Sequence, residues 1–169
     1  IKKINAYFDQ RKFDYMVLKA VPDTHYFLYK FNGNTNPDFH ARLALYKDYA
    51  LPFEQDGHHF EPATEVMAII PGGADAKFLE TIKKDLSLFS VIHATSPLDH
   101  KSAWIEVFHK DVSKSLAVSW LAKMLRIKRQ NVISVGNDYN DQDLLVWSGQ
   151  GFIVENAPVY LKQQFINVV

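Results

Sequence analysis

One stretch constrains the chain more than any other: Asn131 to Gly149, read as NVISVGNDYNDQDLLVWSG. An apolar series (Val132, Ile133, Val135) stops at Gly136, amides and carboxylates crowd Asn137, Asp138, Asn140 and Asp141, and a new apolar series begins at Leu144. This order predicts a buried strand that ends in an acidic loop and opens a helix. Open α/β sheets bind ligands at the carboxyl edge of their parallel strands. There Asp138 and Asp141 supply oxygen ligands of the kind a hard cation takes. The same residues also make an ordinary turn and helix cap, and on the loop alone both readings stand.

Composition bounds what that loop belongs to. With 169 residues, 47% of them hydrophobic, the chain can bury one sizeable core or two small ones. Its 19 basic residues balance 19 acidic ones, so composition predicts no nucleic-acid partner. The absence of cysteine excludes disulfides, thiolate metal sites and a cysteine nucleophile. No apolar run approaches the roughly 20 residues that span a bilayer, and nothing at the start reads as a signal peptide. No membrane partner and a cytoplasmic location are therefore expected. The chain begins at Ile1, inside a helical pattern, which suggests that the native protein extends upstream.

Residues 1–109 read as a compact α+β layer. Ile1, Ile4, Tyr7 and Phe8 share one helical face; Phe13 to Ala20 and Tyr26 to Lys30 read as strands around a Val21-Pro22-Asp23-Thr24 turn. A loop from Phe31 precedes a helix over Phe39 to Tyr49, with Asp38 as its cap. Leu51 to Glu61, punctuated by Pro52 and Asp56-Gly57, reads mostly as loop. Thr64 to Ile70 is a strand. Asp75 caps a helix presenting Phe78, Leu79, Ile82 and Leu86, and Phe89 to Thr95 and Ser102 to Phe108 form a hairpin. This order predicts helices on one face of a mostly antiparallel sheet. Tyr26, Tyr29 and Phe31 read as core residues or as the lining of a site. His58 and His59, adjacent and pointing apart if extended, make a poor two-histidine metal site.

From residue 110 the rhythm changes. Asp111 or Ser113 caps a long helix with Leu116, Trp120, Leu121, Met124 and Leu125 on its buried side. Lys123, Arg126, Lys128 and Arg129 gather at its end, where cations answer the helix dipole and stay solvated. The strand Val132 to Val135, the helix through Leu144 to Trp147, a strand at Phe152 to Val154 and a helix from Pro158 follow. Helices alternating with short apolar strands mark a parallel α/β sheet.

Asp111-Val-Ser-Lys-Ser115, then Gly136-Asn-Asp-Tyr-Asn-Asp141, then Glu155-Asn-Ala157 resemble, in order and spacing, the C-terminal half of a haloacid-dehalogenase-superfamily phosphatase. Residues 1–109 resemble the α/β cap of its sugar-phosphatase-like branch. The resemblance implies an α/β fold in which residues 110–169 are the C-terminal half of a Rossmann-like parallel-sheet core beside an α+β cap domain. It implies a phosphatase that uses Mg²⁺ on a small phosphorylated substrate. It assigns Lys114 and Asn140 to the phosphoryl centre, Asn137, Asp138 and Asp141 to the metal and Asn156 to the phosphate.

Two departures qualify that assignment. The family has aspartate directly after the glycine, where this chain has Asn137, so either Asn137 coordinates without charge or Asp138 takes over. The family's Asp-x-Asp nucleophile motif, preceded by an apolar strand, does not occur in these residues. By the resemblance, the strand at Val132 to Val135 pairs with a missing N-terminal half of the core. These 169 residues alone are then expected to be inactive and to self-associate through an exposed sheet edge. The alternative is a non-catalytic α/β binding module that keeps the lysine and acidic loop as an anion or metal site.

Overall fold

A computed structural model of the chain describes residues 1–33, 35–53, 62–166 and 168–169. It divides into two compact units, Ile1–Lys110 and Asp111–Val169.

The first unit is built on a six-stranded sheet. Its strands are β1 (Asp14–Lys19), β2 (Phe27–Lys30), β3 (Ala50–Pro52), β4 (Ala63–Ile70), β5 (Phe89–Thr95) and β6 (Ala103–His109), in the order β3-β2-β1-β4-β6-β5. Every pairing is antiparallel except β2 with β3. Helices α1 (Lys2–Gln10), α2 (Pro37–Leu45) and α3 (Ala76–Asp85) complete the unit.

Period-two alternation divides the strand residues between two cores. On one face Tyr15, Val17, Val66, Ala68, Ile105 and Val107 pack against Ile4 and Phe8 of α1 and Ile82 of α3. On the other, Met16, Leu18, Phe27, Met67, Ile69 and Trp104 pack against Phe39 of α2. The expectation that helices cover one face only is thus corrected. Met16 and Val17, like Met67 and Ala68, are buried side by side on opposite faces, and strands buried on both faces need a layer on each.

Three local expectations also change. Helix α2 begins at Pro37, and its cap is Asn36, whose side chain accepts from the Phe39 amide at 3.2 Å. Asp38, 2% exposed, instead reaches the sheet, accepting from Ser96 Oγ at 2.6 Å and Trp104 Nε1 at 2.8 Å. Second, the segment read as loop from Leu51 contains β3, held by main-chain bonds beside β2. Third, Tyr29 packs into the α2-side core, whereas Tyr26 and Phe31 are 39% and 45% exposed.

The second unit contains α4 (Lys114–Met124), β7 (Ile133–Gly136), α5 (Gln142–Trp147), β8 (Gln150–Ile153) and α6 (Val159–Lys162). Strands β7 and β8 pair in parallel, Ile133 opposite Gln150 and Gly136 opposite Ile153. Leu145, Ile153, Ala157 and Leu161 form the core, and the buried hydroxyls of Ser134 and Ser148 bond at 2.7 Å.

The helix expected to bury its large apolar side does not. Leu116, Trp120, Leu121, Met124 and Leu125 are between 47% and 64% exposed. The less exposed positions of α4 are Ser115, Val118, Ser119 and Ala122, whose helical spacing forms a narrow small-residue face, and the helix lies against α5. Strand β7 alternates likewise, Ser134 and Gly136 buried, Ile133 and Val135 exposed by 65% and 58%.

Candidate functional site

The parallel register of β7 and β8 brings two loops to one carboxyl edge. Gly136 and Ile153 are partners, so Asn137 to Asp141 after β7 and Asn156 after β8 leave the sheet side by side. The Val154 amide donates to the Gly136 carbonyl at 3.0 Å, extending the ladder one step into the loops.

The first loop closes immediately into a one-turn 3-10 helix, Tyr139–Asp141, that runs into α5. Its Asp141 side chain folds back beneath Gly136. A Cβ at Gly136 would lie 2.5 Å from Asp141 Cβ and 3.0 Å from its Oδ2, so glycine is required for close approach rather than for a special backbone angle.

Asp141 is 9% exposed and both of its oxygens are engaged. Oδ2 accepts from the Asn137 amide at 2.9 Å, and Oδ1 accepts from the ammonium of Lys114 in a short ion pair. Asp141 therefore serves as the anchor of Lys114 and of the loop's own backbone.

Helix α4 delivers Lys114. Ser113 is its N-cap, its Oγ accepting from the Leu116 amide at 3.2 Å; of the two caps the sequence allowed, this is the one used. A lysine in a helix's first turn is unfavourable to the dipole, and Asp141 offsets that cost.

A second carboxylate, passed over in the sequence, ties the same two elements. Asp143 Oδ2 accepts from the Ser115 amide at 3.0 Å. Burial by itself would raise the Asp143 carboxyl, but hydrogen bonds from Ser115, Ser113 and the Leu144 amide outweigh it and hold the group below the usual carboxylate range. Its position two residues beyond Asp141, in the first turn of a helix, was the available signal.

The remaining predicted residues occupy the same edge. Asn137 is exposed, Asp138 and Asn140 are half-buried, and Asn156 is exposed on the second loop. Lys114, Asn137 and Asp141 are joined by direct bonds, while Asn156 shares only the edge. Among the described residues no group of three or more His, Cys, Asp or Glu converges as a metal cage. Magnesium does not need one, because it is commonly held by one or two carboxylates, waters and substrate phosphate oxygens. Asp138 and the Asn137 amide oxygen are hard donors of that type, and the donor chemistry fits. Asp141 accepts from Lys114 through Oδ1 and from the Asn137 amide through Oδ2, and each oxygen keeps a second lone pair.

The basic group after α4 is partly structural. Arg129 donates through Nε to the Trp147 carbonyl and through a terminal nitrogen to the Val146 carbonyl at 3.2 Å, satisfying the end of α5. Lys123, Arg126 and Lys128 are exposed. His58 and His59 lie outside the described residues. No helix among the described residues is long and apolar enough to cross a membrane.

The profile of haloacid dehalogenase-like hydrolases matches residues 1–169. A candidate phosphatase of Haemophilus influenzae is 27% identical over 131 residues, 76% of this chain and 47% of its own length. One of Buchnera aphidicola is 33% identical over 91 residues, 52% of this chain and 31% of its own. The chain thus spans about half, or less, of the length of these curated relatives. Among solved structures, a phosphatase of the same superfamily from Bacteroides thetaiotaomicron aligns with TM-score 0.69 at 16% identity, over 99% of this chain and 57% of that one. A subclass IIB sugar phosphatase aligns with TM-score 0.67 at 13% identity, over 99% and 59%. At these identities the likeness shows the fold: α/β, of the Rossmann-type hydrolase class.

Proposed function

The chain belongs to the haloacid dehalogenase-like hydrolases, and from that premise we propose that it supplies the lysine and acidic-loop half of a Mg²⁺-dependent phosphatase. The substrate of this reading is a small phosphorylated metabolite, a sugar phosphate. The observation that carries it is the ion pair between Lys114 and Asp141 at the carboxyl edge of β7. It holds an ammonium, nearly half of whose side chain is exposed, at the edge where the Asn137 to Asp141 loop leaves the strand.

The roles follow from charge and reach. Lys114 neutralises non-bridging phosphoryl oxygens as negative charge develops on them, and Asp141 keeps its ammonium in place. Asn140 and Asn156 donate amide hydrogens to the phosphate. Asp138 and Asn137 would hold the cation, which when bound neutralises phosphate charge and orients the phosphoryl group.

The reading assigns the nucleophile to an Asp-x-Asp motif carried elsewhere in the native protein. Residues 1–109 act in it as the cap domain, in a cytoplasmic enzyme. The exposed side chains of Ile133 and Val135 are its pairing surface, for the complementary core half or for a second copy. In the alternative, a non-catalytic binding module, the Lys114–Asp141 pair serves an anion site without turnover.

The test is the intact mass and N-terminal peptide of the native protein, followed by phosphate release from sugar monophosphates with and without Mg²⁺. Turnover that requires Mg²⁺ and is lost in Lys114→Ala supports the phosphatase. A native chain that starts near Ile1, binds phosphate and releases none refutes it in favour of the binding module.

A further inference from the structure

Two carboxylates of one short segment reach the start of α4. Asp141 closes the 3-10 turn and Asp143 lies in the first turn of α5, and they meet neighbouring positions of the other helix. Asp141 Oδ1 takes the ammonium of Lys114, and Asp143 Oδ2 takes the amide of Ser115 at 3.0 Å. The first contact holds the tip of the lysine. The second holds the backbone one residue beyond its root.

Capping of α4 alone does not require the second contact. Ser113 Oγ already accepts from the Leu116 amide at 3.2 Å, and the Ala117 amide reaches the Ser113 carbonyl at 3.1 Å. The Ser115 amide is one of the first-turn donors that have no acceptor within their own helix, and at an exposed helix end water satisfies such a group. Here a carboxylate 28 positions along the chain takes it instead. Ser115 and Ser113, whose hydroxyls lie 3.0 Å apart, add side-chain bonds to the same carboxylate. The face that α4 turns inward carries Ser115, Val118, Ser119 and Ala122, side chains too small to interlock deeply with a neighbouring helix. The polar tie at its first turn therefore sets how far α4 extends toward the carboxyl edge of the sheet.

A lysine stem is long and flexible, and an ion pair this exposed restrains its tip only weakly. Where the ammonium sits then depends on where the root is held. We propose that Asp143 is a positioning residue: by holding the Ser115 amide it fixes the root of Lys114 and keeps the ammonium on Asp141 at the end of β7. That the ammonium meets a phosphate there rests on the phosphatase reading; the positioning itself does not.

The experiment is trace acylation of the 169-residue chain with acetic anhydride, the rate at each lysine being read by mass spectrometry. Lys123 and Lys128, both exposed, serve as internal references. Only the free amine reacts, so an ammonium held on a carboxylate is slow. Asp143→Ala should raise the rate at Lys114 over the references by about two- to fivefold, the range that loss of an exposed pair corresponds to. Asp143→Asn keeps an oxygen for the Ser115 amide and should restore a rate near that of the parent. Ser134→Ala removes the buried bond to Ser148 in the same unit and should leave Lys114 unchanged. Three results overturn the proposal. An unchanged rate in Asp143→Ala means that the root is held without Asp143. An equal rise in Asp143→Asn assigns the effect to lost charge, and an equal rise in Ser134→Ala assigns it to general loosening of the unit. Because neither a phosphate ester nor a metal is used, a failed phosphatase assay leaves this result unaffected, and the reverse also holds.

Discussion

Lys114 and Asp141, 27 positions apart in the sequence, meet as an ion pair whose acidic partner is nearly buried and whose basic partner is 46% exposed in its side chain. The asymmetry decides what the pair does. The exposed ammonium is solvated, so its Coulomb contribution is under about 1 kcal/mol. Asp141 matters more for the Asn137 amide, which otherwise loses its acceptor. Asp141→Ala should destabilise the second unit by about 1–3 kcal/mol, even without Mg²⁺, as read from urea unfolding followed through Trp120 and Trp147. A metal-free variant as stable as the parent would show that Asp141 is instead held in reserve for a cation.

Gly136→Ala should disturb the same pair from the other side. The new Cβ would meet Asp141 Cβ at 2.5 Å, a contact that something must relieve. Overpacking of this kind costs about 1–3 kcal/mol, and relief by the side chain would pull Asp141 off the Asn137 amide. Amide exchange reports this directly, and faster exchange at Asn137 is expected. Unchanged protection there would mean that the backbone, not Asp141, gives way.

Glu65 makes the first unit pH-sensitive. Its carboxyl rises from 4.5 to about 7 on folding, so across that window the folded chain holds a proton that the unfolded chain has released. The associated stability is fully present below about 4.5 and is lost as pH rises through about 7. Arg42, Glu106, Asp38 and Tyr46 face the same region and set the remaining charge there. The loss is on the order of 1–3 kcal/mol, and Glu65→Gln should flatten it. Thermal unfolding of both proteins at pH 5 and pH 8 checks this, and parallel pH slopes would exclude Glu65 as the origin.

Asp38 should be among the most sensitive positions in the first unit. Two buried donors, Ser96 Oγ and Trp104 Nε1, depend on its carboxylate. Asp38→Ala strands both, at about 2–4 kcal/mol, whereas loss of a plain helix cap costs typically about 1 kcal/mol. Denaturant midpoints compared with Asn36→Ala distinguish the two roles.

How much of this was legible follows residue by residue. The strand, acidic loop and helix from Val132 to Trp147 were readable because apolar and polar residues switch sharply at Gly136 and Leu144. The caps at Asp75 and Ser113 were readable because their interactions span three residues. Asp38 was misread as a cap because its partners are 58 and 66 positions away, beyond any local pattern. Strand β3 is only three residues long and contains Pro52, so its side chains carry no periodic signal. In α4 the period of the large apolar residues was right, but periodicity does not say what lies against a face. At the candidate site, residue types and spacing pointed to Lys114 and the acidic loop. Only tertiary geometry showed that Asp141 bonds both Lys114 and the Asn137 amide, and that Asp143 is a second tie between α4 and α5.

That outward apolar face yields the last prediction. Ile133 and Val135 project from β7 with more than half of each exposed, beside the main-chain groups of a strand whose one partner among the described residues is β8. Apolar edges of this kind recruit other strands, and Trp120, Met124 and Leu125 add exposed apolar surface in the same unit. The 169-residue chain should therefore self-associate with rising concentration, and Val135→Lys should shift it toward monomer by placing a charge on the pairing edge. Light scattering across a dilution series reads both. A parent chain that stays monomeric throughout refutes the assignment of β7 as a pairing edge. Association that survives Val135→Lys but is lost in Trp120→Arg moves the contact from β7 to α4.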